Sequence, residues 1–202
     1  LIYDVDPESA FTYEFRESGS TLIIKERWKG TSSGEVSWTL TVPADTEIEF
    51  STASGDITAS GLSADFEANS ASGDVDVRDM GGDIDISVAS GDIVLVNAKG
   101  EVDISTASGD ISVENCGGNV ELSTASGEIS AKKCGGDIEL STASGDIEAV
   151  GLSDEIELST ASGDIEISDS KGTFDLGCAS GGIKAKGITI MGASEFSTAS
   201  GE

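Results

Sequence analysis

The side chains of this sequence best equipped for chemistry are carboxylates, and they recur at fixed spacing. Glu49, Glu67, Asp85, Asp103, Glu121, Glu139, Glu157 and Asp175 follow one another every 18 residues. A second file runs Glu47, Asp65, Asp83, Glu101, Asn119, Asp137, Glu155. A third follows a Ser-Gly pair: Asp56, Asp74, Asp92, Asp110, Glu128, Asp146, Asp164. Stacked carboxylates can hold a divalent cation, because calcium takes oxygen ligands. Glu121, Glu139, Glu157, Asp110, Asp146 and Asp164 are the candidate ligands, although the calcium-binding Gly-Gly-x-Gly-x-Asp nonapeptide is absent. The same acids can keep a β-rich rod soluble and free of edge-to-edge association. They can also adhere to a cationic or sugar-coated surface. The Asp after the Ser-Gly pair has a local alternative, accepting hydrogen bonds from turn N–H groups.

Catalysis is a poor match. A glycosidase needs one carboxyl of a pair raised by burial, whereas these acids alternate with inward positions and repeat throughout. The basic residues are scattered: Arg78, Lys99, Lys132, Lys133, Lys171, Lys184 and Lys186. The chain has no histidine, and nothing beside the serines at Ser54 to Ser200 would activate them. We expect no enzyme activity and no cofactor, calcium being the one open case. A flat threonine array for ice binding is disfavoured because the threonine file, Thr52 to Thr198, reads as inward.

These files must be carried by a stacked unit. Ala-Ser-Gly recurs from Ala53 to Ala199, with seven intervals of 18 residues and a last one of 20. So short a period means one element laid on copies of itself. Within it apolar residues alternate with polar ones, the strand period. The inward files begin at Ile57, Ala59, Ile48 and Phe50, each continuing at 18-residue steps. Each rung is therefore two short strands joined by two tight corners. The Ala-Ser-Gly corner uses glycine's access to positive φ. A further inward file, Leu62, Met80, Ala98, Cys116, Cys134, Leu152, precedes the other corner. Cys116 and Cys134 then sit about 4.8 Å apart, within disulfide reach on Cα distance, and are expected as two buried thiols. Cys178 falls in the threonine file as a small core residue. Near residues 187–194 the frame slips by two, which predicts a bulge or a modified rung.

Residues 1–44 differ. Phe11, Tyr13 and Phe15 alternate with polar residues, Ser18-Gly19-Ser20 reads as a turn, and Leu22, Ile24, Glu26 and Trp28 share a face. After the loop Gly30 to Gly34, a third strand is expected through Val36, Trp38, Leu40 and Val42. The reading is a small antiparallel N-terminal β cap over residues 1–44, then a β-solenoid array over residues 45–202. Trp28 and Trp38 are expected to pack rather than bind.

The formal charge of −27, from 38 acids against 11 bases, argues against nucleic acid as a partner and against an anionic membrane surface. No run of about 18 apolar residues exists to span a bilayer. The chain starts at Leu1 and stops at Gly201-Glu202 inside a new repeat. We therefore expect it to be cut from a longer protein whose export signal or anchor lies elsewhere.

A short β segment, then Thr41-Val42-Pro43, then repeats of the form Ser-x-Ala-Ser-Gly-Asp-Ile resembles the bacterial adhesin-type family of β-solenoid domains of unknown function, akin to head-domain autotransporter adhesins. The resemblance implies an all-β, right-handed parallel β-helix, a cell-surface or envelope location, and binding of a surface ligand, glycan or protein. It carries over no functional residue. The expectation is a non-enzymatic solenoid displaying an acidic face. The alternatives are a self-assembling, bactofilin-like element that associates end to end, or a calcium-stabilised module.

Overall fold

The computed structural model describes residues 2–6, 11–18, 21–29 and 33–201. Contacts divide the chain into two units, Leu1–Val42 and Pro43–Glu202.

The first unit contains two antiparallel ribbons. β1 (Ile2–Asp6) pairs with β4 (Ser33–Ser37), and β2 (Phe11–Ser18) pairs with β3 (Thr21–Trp28). The alternation of Phe11, Tyr13 and Phe15 does mark a strand. The expected third strand is shorter than the sequence suggested: it ends at Ser37, and its partner β1 has no counterpart in the sequence reading. Trp38 leaves the strand row to pack edge-on against Tyr13 and Phe15, with centroids at 6.0 and 5.8 Å. Its indole N–H donates to the Glu26 carboxylate. Leu40 and Val42 lie beyond, exposed. The predicted turn at Gly19-Ser20, the first half of the Gly30 to Gly34 loop and the Trp28 side chain fall outside the described residues.

The second unit is a parallel β-solenoid. One sheet stacks β5 (Ile48–Thr52), β7 (Phe66–Ser70), β9 (Ile84–Ser90), β11 (Val102–Ser108), β13 (Val120–Ser126), β15 (Ile138–Ser144), β17 (Ser153–Ser162) and β19 (Lys171–Ser180). The other stacks β6 (Ile57–Ser60), β8 (Val75–Met80), β10 (Ile93–Ala98), β12 (Ile111–Cys116), β14 (Ile129–Lys132), β16 (Ile147–Val150), β18 (Ile165–Ser168) and β20 (Ile183–Lys186). We call them the odd and even sheets. The register is the repeat itself: Ile111 faces Ile93 and Ile129, and Val120 faces Val102 and Ile138. A residue is therefore buried or exposed together with its equivalents in neighbouring rungs. Ile111, Ile129, Leu122 and Leu140 are all at most 1% exposed.

The last rung resolves the frame slip. β21 (Thr189–Ile190) pairs with Lys171–Gly172 at the regular offset, whereas β22 (Glu195–Ser200) pairs with Asp175–Ser180 two residues later. The extra pair thus bulges within residues 191–194, and Ser194 Oγ accepts the Phe174 N–H at 3.0 Å.

Close approach fixes the corners more than backbone freedom does. A Cβ built on Gly91, Gly109 or Gly127 would overlap the carbonyl oxygen of the corner glycine one rung earlier. Positive φ, +151° at Gly91 and +156° at Gly109, adds to the requirement. The inward threonines use those same carbonyls: Thr124, Thr142 and Thr160 donate to Gly109, Gly127 and Gly145 at 3.1–3.3 Å. Thr52 donates instead to the Ser54 carbonyl at 3.0 Å, and the buried Thr106 hydroxyl has no partner among the described residues.

Candidate functional site

The three acidic files differ once folded. In the corner file each Asp reaches along the rod axis. The N–H groups of Asp74, Asp92, Asp110 and Glu128 donate to Oδ1 of Asp56, Asp74, Asp92 and Asp110, at 2.8–3.0 Å. Asp146 and Asp164 accept from Asp164 and Gly182 in the same way. The file starting at Glu47 repeats the contact at the opposite corner, where Asp65, Asp83 and Asn119 accept from Asp83, Glu101 and Asp137. Among the described residues Glu101 and Glu128, whose carboxylates sit one methylene further out, accept no such bond, and neither does Asp137, for which side-chain length is not the reason. The local alternative for the corner Asp is thus realised, with the donor on the next rung rather than in the same turn.

Asp110, Asp146 and Asp164 are therefore engaged with main chain. Glu121, Glu139 and Glu157 stand in register on another face, the outer side of the odd sheet. Among the described residues no group of three or more acidic, histidine or cysteine side chains is arranged to hold a metal ion. The six candidate ligands do not converge on one point.

The file from Glu49 to Asp175 remains as an outward ridge of carboxylates, flanked by a file of serines in which Ser87 and Ser105 are hydrogen-bonded at 3.1 Å. At the first rungs it borders a shallow groove of about 340 Å³ lined by the acids from Glu47 to Asp103 together with Ile48, Phe66 and Ile84, with no base. The electrostatic tension is visible in the titration of its members. Burial raises the Asp85 carboxyl above its usual range, with Asp103 and Glu67 on adjacent rungs adding to it. Glu121 is raised by Asp103 first, then by burial and by Glu139 and Glu101.

The bases are not scattered, as the linear sequence suggested. Arg78, Lys132, Lys184 and Lys186 all lie on the even sheet, with Lys99 and Lys133 just past β10 and β14. They pair there with acids: Arg78 with Asp76 at 2.8 Å, Lys132 with Glu148 at 3.1 Å, Lys133 with Glu114 at 2.8 Å and Lys184 with Glu166 at 2.8 Å. Among the described residues, Lys171 at the first position of β19 is the one base in the odd sheet. A signal for this existed in the sequence, since Arg78, Lys132 and Lys186 differ by multiples of the period.

One file escaped the sequence reading altogether. Asp79, Asn97, Asn115, Lys133 and Asp169 have φ between +52° and +63°, continuing Gly61, Gly151 and Gly187 in the same column. Asn and Asp tolerate this left-handed conformation, and here they also form a ladder. Asn97 donates to Asp79 at 2.7 Å and Asn115 to Asn97 at 3.0 Å. The cysteines lie where expected, as buried free thiols.

No described helix is long and apolar enough to cross a membrane. The profile of the family described as Toastrack DUF4097 matches residues 29–149 and again residues 118–202. The overlap of the two matches is what an 18-residue repeat allows, because one profile can be laid on the array in two registers. No curated protein and no solved structure matches the chain. The likeness to adhesin-type solenoids is accordingly narrowed to the fold, since nothing in the match ties the chain to adhesins. Matched from Lys29 to its end, the chain belongs to the Toastrack DUF4097 family, a β-solenoid domain of unknown function.

Proposed function

We propose that this domain is a non-enzymatic display scaffold of the cell envelope, whose odd sheet engages a cationic or amine-bearing partner, glycan or protein. The observation that supports this reading is the segregation of charge between two sheets of one rod. On the even sheet the acids are matched by lysine and arginine; on the odd sheet the ridge from Glu49 to Asp175 is not. Solubility alone does not require that sorting, because mixed charge serves it equally well. Carboxylates held in register about 4.8 Å apart repel one another by about 0.9 kcal/mol per pair in bulk water, and a polycation relieves several such contacts at once. The raised carboxyl of Glu121, whose largest cause is the Asp103 charge, fits a face left short of counter-charge.

The test is binding of the full chain to immobilised poly-lysine and to an amine-bearing glycan array, as a function of salt. Replacing Glu121, Glu139 and Glu157 with Gln should weaken capture about tenfold, as expected for loss of steering and contact charge. The same change at Glu114, Glu148 and Glu166 on the even sheet should leave it unaltered. Equal loss in the two triple variants would reduce the effect to net charge and remove the assignment to the odd sheet.

A further inference from the structure

We propose that Cys116 and Cys134 are an oxidisable pair that forms a disulfide between two adjacent rungs, by exchange with an external disulfide such as oxidised glutathione. Cys116 ends β12, and Cys134 follows β14 by two residues. The two strands are in register up to Glu114 and Lys132, and the Gly135 N–H then donates to the Cys116 carbonyl at 3.0 Å. Both side chains point into the core, at 3% and 2% exposure. The Cys134 S–H donates to the Lys132 carbonyl at 3.4 Å. Neighbouring parallel strands are about 4.8 Å apart, inside the Cα range that disulfides span. Closing the bond requires the two Cβ atoms to approach from about 4.8 Å to about 3.8–4.5 Å. The backbone has latitude for this, since Cys134 lies outside the ladder, between Lys133 at φ +55° and Gly136 at φ +79°.

Cys178 provides the contrast. It is equally buried, but its neighbours in the file are Thr160 and Thr198, and its S–H donates to the Gly163 carbonyl at 3.1 Å.

The Cys134 thiolate attacks one sulfur of the external disulfide, giving a mixed disulfide and releasing one thiol. The Cys116 thiolate then attacks the Cys134 sulfur, forming the inter-rung bond and releasing the second thiol. Two protein thiols are oxidised, one external disulfide is reduced to two thiols, and the two protons pass to the leaving groups. Because buried thiols are inert, exchange occurs while the rung is still open during folding. The bond closes a loop of one full rung, which restricts the unfolded chain.

The full chain, unfolded and reduced, is refolded in a buffer of reduced and oxidised glutathione, then denatured, alkylated and mapped by peptide mass spectrometry. A Cys116–Cys134 linked peptide, with Cys178 alkylated, is the expected result. It should be absent after refolding with reduced glutathione alone. Alkylation of all three cysteines, linkage of Cys178 as often as of the pair, or glutathione retained on Cys134 would each overturn the proposal.

Discussion

The backbone N–H of Glu128 donates to Oδ1 of Asp110, one rung earlier, at 2.8 Å. The repeated Ser-Gly-Asp corner is thus a ladder along the rod axis, each Asp accepting from the residue above it. What the contact needs is an acceptor oxygen at aspartate length, not a charge. Asp110→Ala is expected to lower stability by about 0.5–1 kcal/mol, the net worth of an exposed hydrogen bond. Asp110→Asn keeps the oxygen and sheds a charge, so stability should be unchanged or higher. Urea denaturation of both variants checks this, and an equal loss in the two would show that charge is what matters.

The corner glycines predict a second contrast. Gly109→Ala places a methyl group on the Gly91 carbonyl, and backbone stacked on backbone cannot yield. The loss should be about 3 kcal/mol or more, at the upper end of overpacking costs. Gly55→Ala meets no atom within 4 Å and suffers only from its φ of +128°, so it should cost about 1–3 kcal/mol. Midpoints of thermal unfolding should rank wild type, then Gly55→Ala, then Gly109→Ala. The reverse order of the variants would make positive φ, rather than close approach, the reason for glycine.

Acidity is expected to help the fold before it harms it. Asp85 and Glu121 are raised in the folded chain, so their ionised forms are less favourable there than in the unfolded chain. That penalty is fully present at neutral pH and is relieved as pH falls through the raised values toward the ordinary carboxylate range. Glu114 and Glu166 act oppositely. Hydrogen bonds from Lys133 and Lys184 lower them, so their contribution is lost only as pH falls below the ordinary range. At low salt the unfolding midpoint should therefore rise from about pH 7.5 to about pH 5 and fall below about pH 4. Added salt should shrink the rise by screening. A midpoint that drops steadily from neutral pH would contradict the account.

Lys133 occupies a left-handed position that Asn97 and Asn115 fill below it. A lysine there costs about 1–2 kcal/mol, while its exposed pair with Glu114 returns about 0.2–1 kcal/mol. The backbone term wins, so Lys133→Asn should stabilise the domain by a few tenths to about 1 kcal/mol, despite breaking the ion pair. Chemical denaturation measures this directly, and a net loss would put the value of the Glu114 pair above the strain.

Much of the array was legible because its period does the folding arithmetic. Once residues 18 apart lie over one another, Ile111 and Ile129 must share a fate, and so must Glu121 and Glu139. The acidic groove was legible in composition, and the period already puts Arg78, Lys132 and Lys186 in one file, but which acid each base pairs with depends on side-chain distances that a linear reading does not carry. The first unit was less legible still. It has no period, so the pairing of β1 with β4 rests on long-range contacts that alternation alone does not encode.

The sequence by itself therefore determined the architecture: an 18-residue strand–corner–strand repeat, its inward files, and an acidic exterior. Repetition makes each local preference reinforce the same preference one rung away. Only the tertiary structure decided which carboxylates are occupied by neighbouring N–H groups and which acids are left without counter-charge. Those outcomes depend on distances between files, set by how two sheets and two corners close around one core, and a period along the chain carries no information about them.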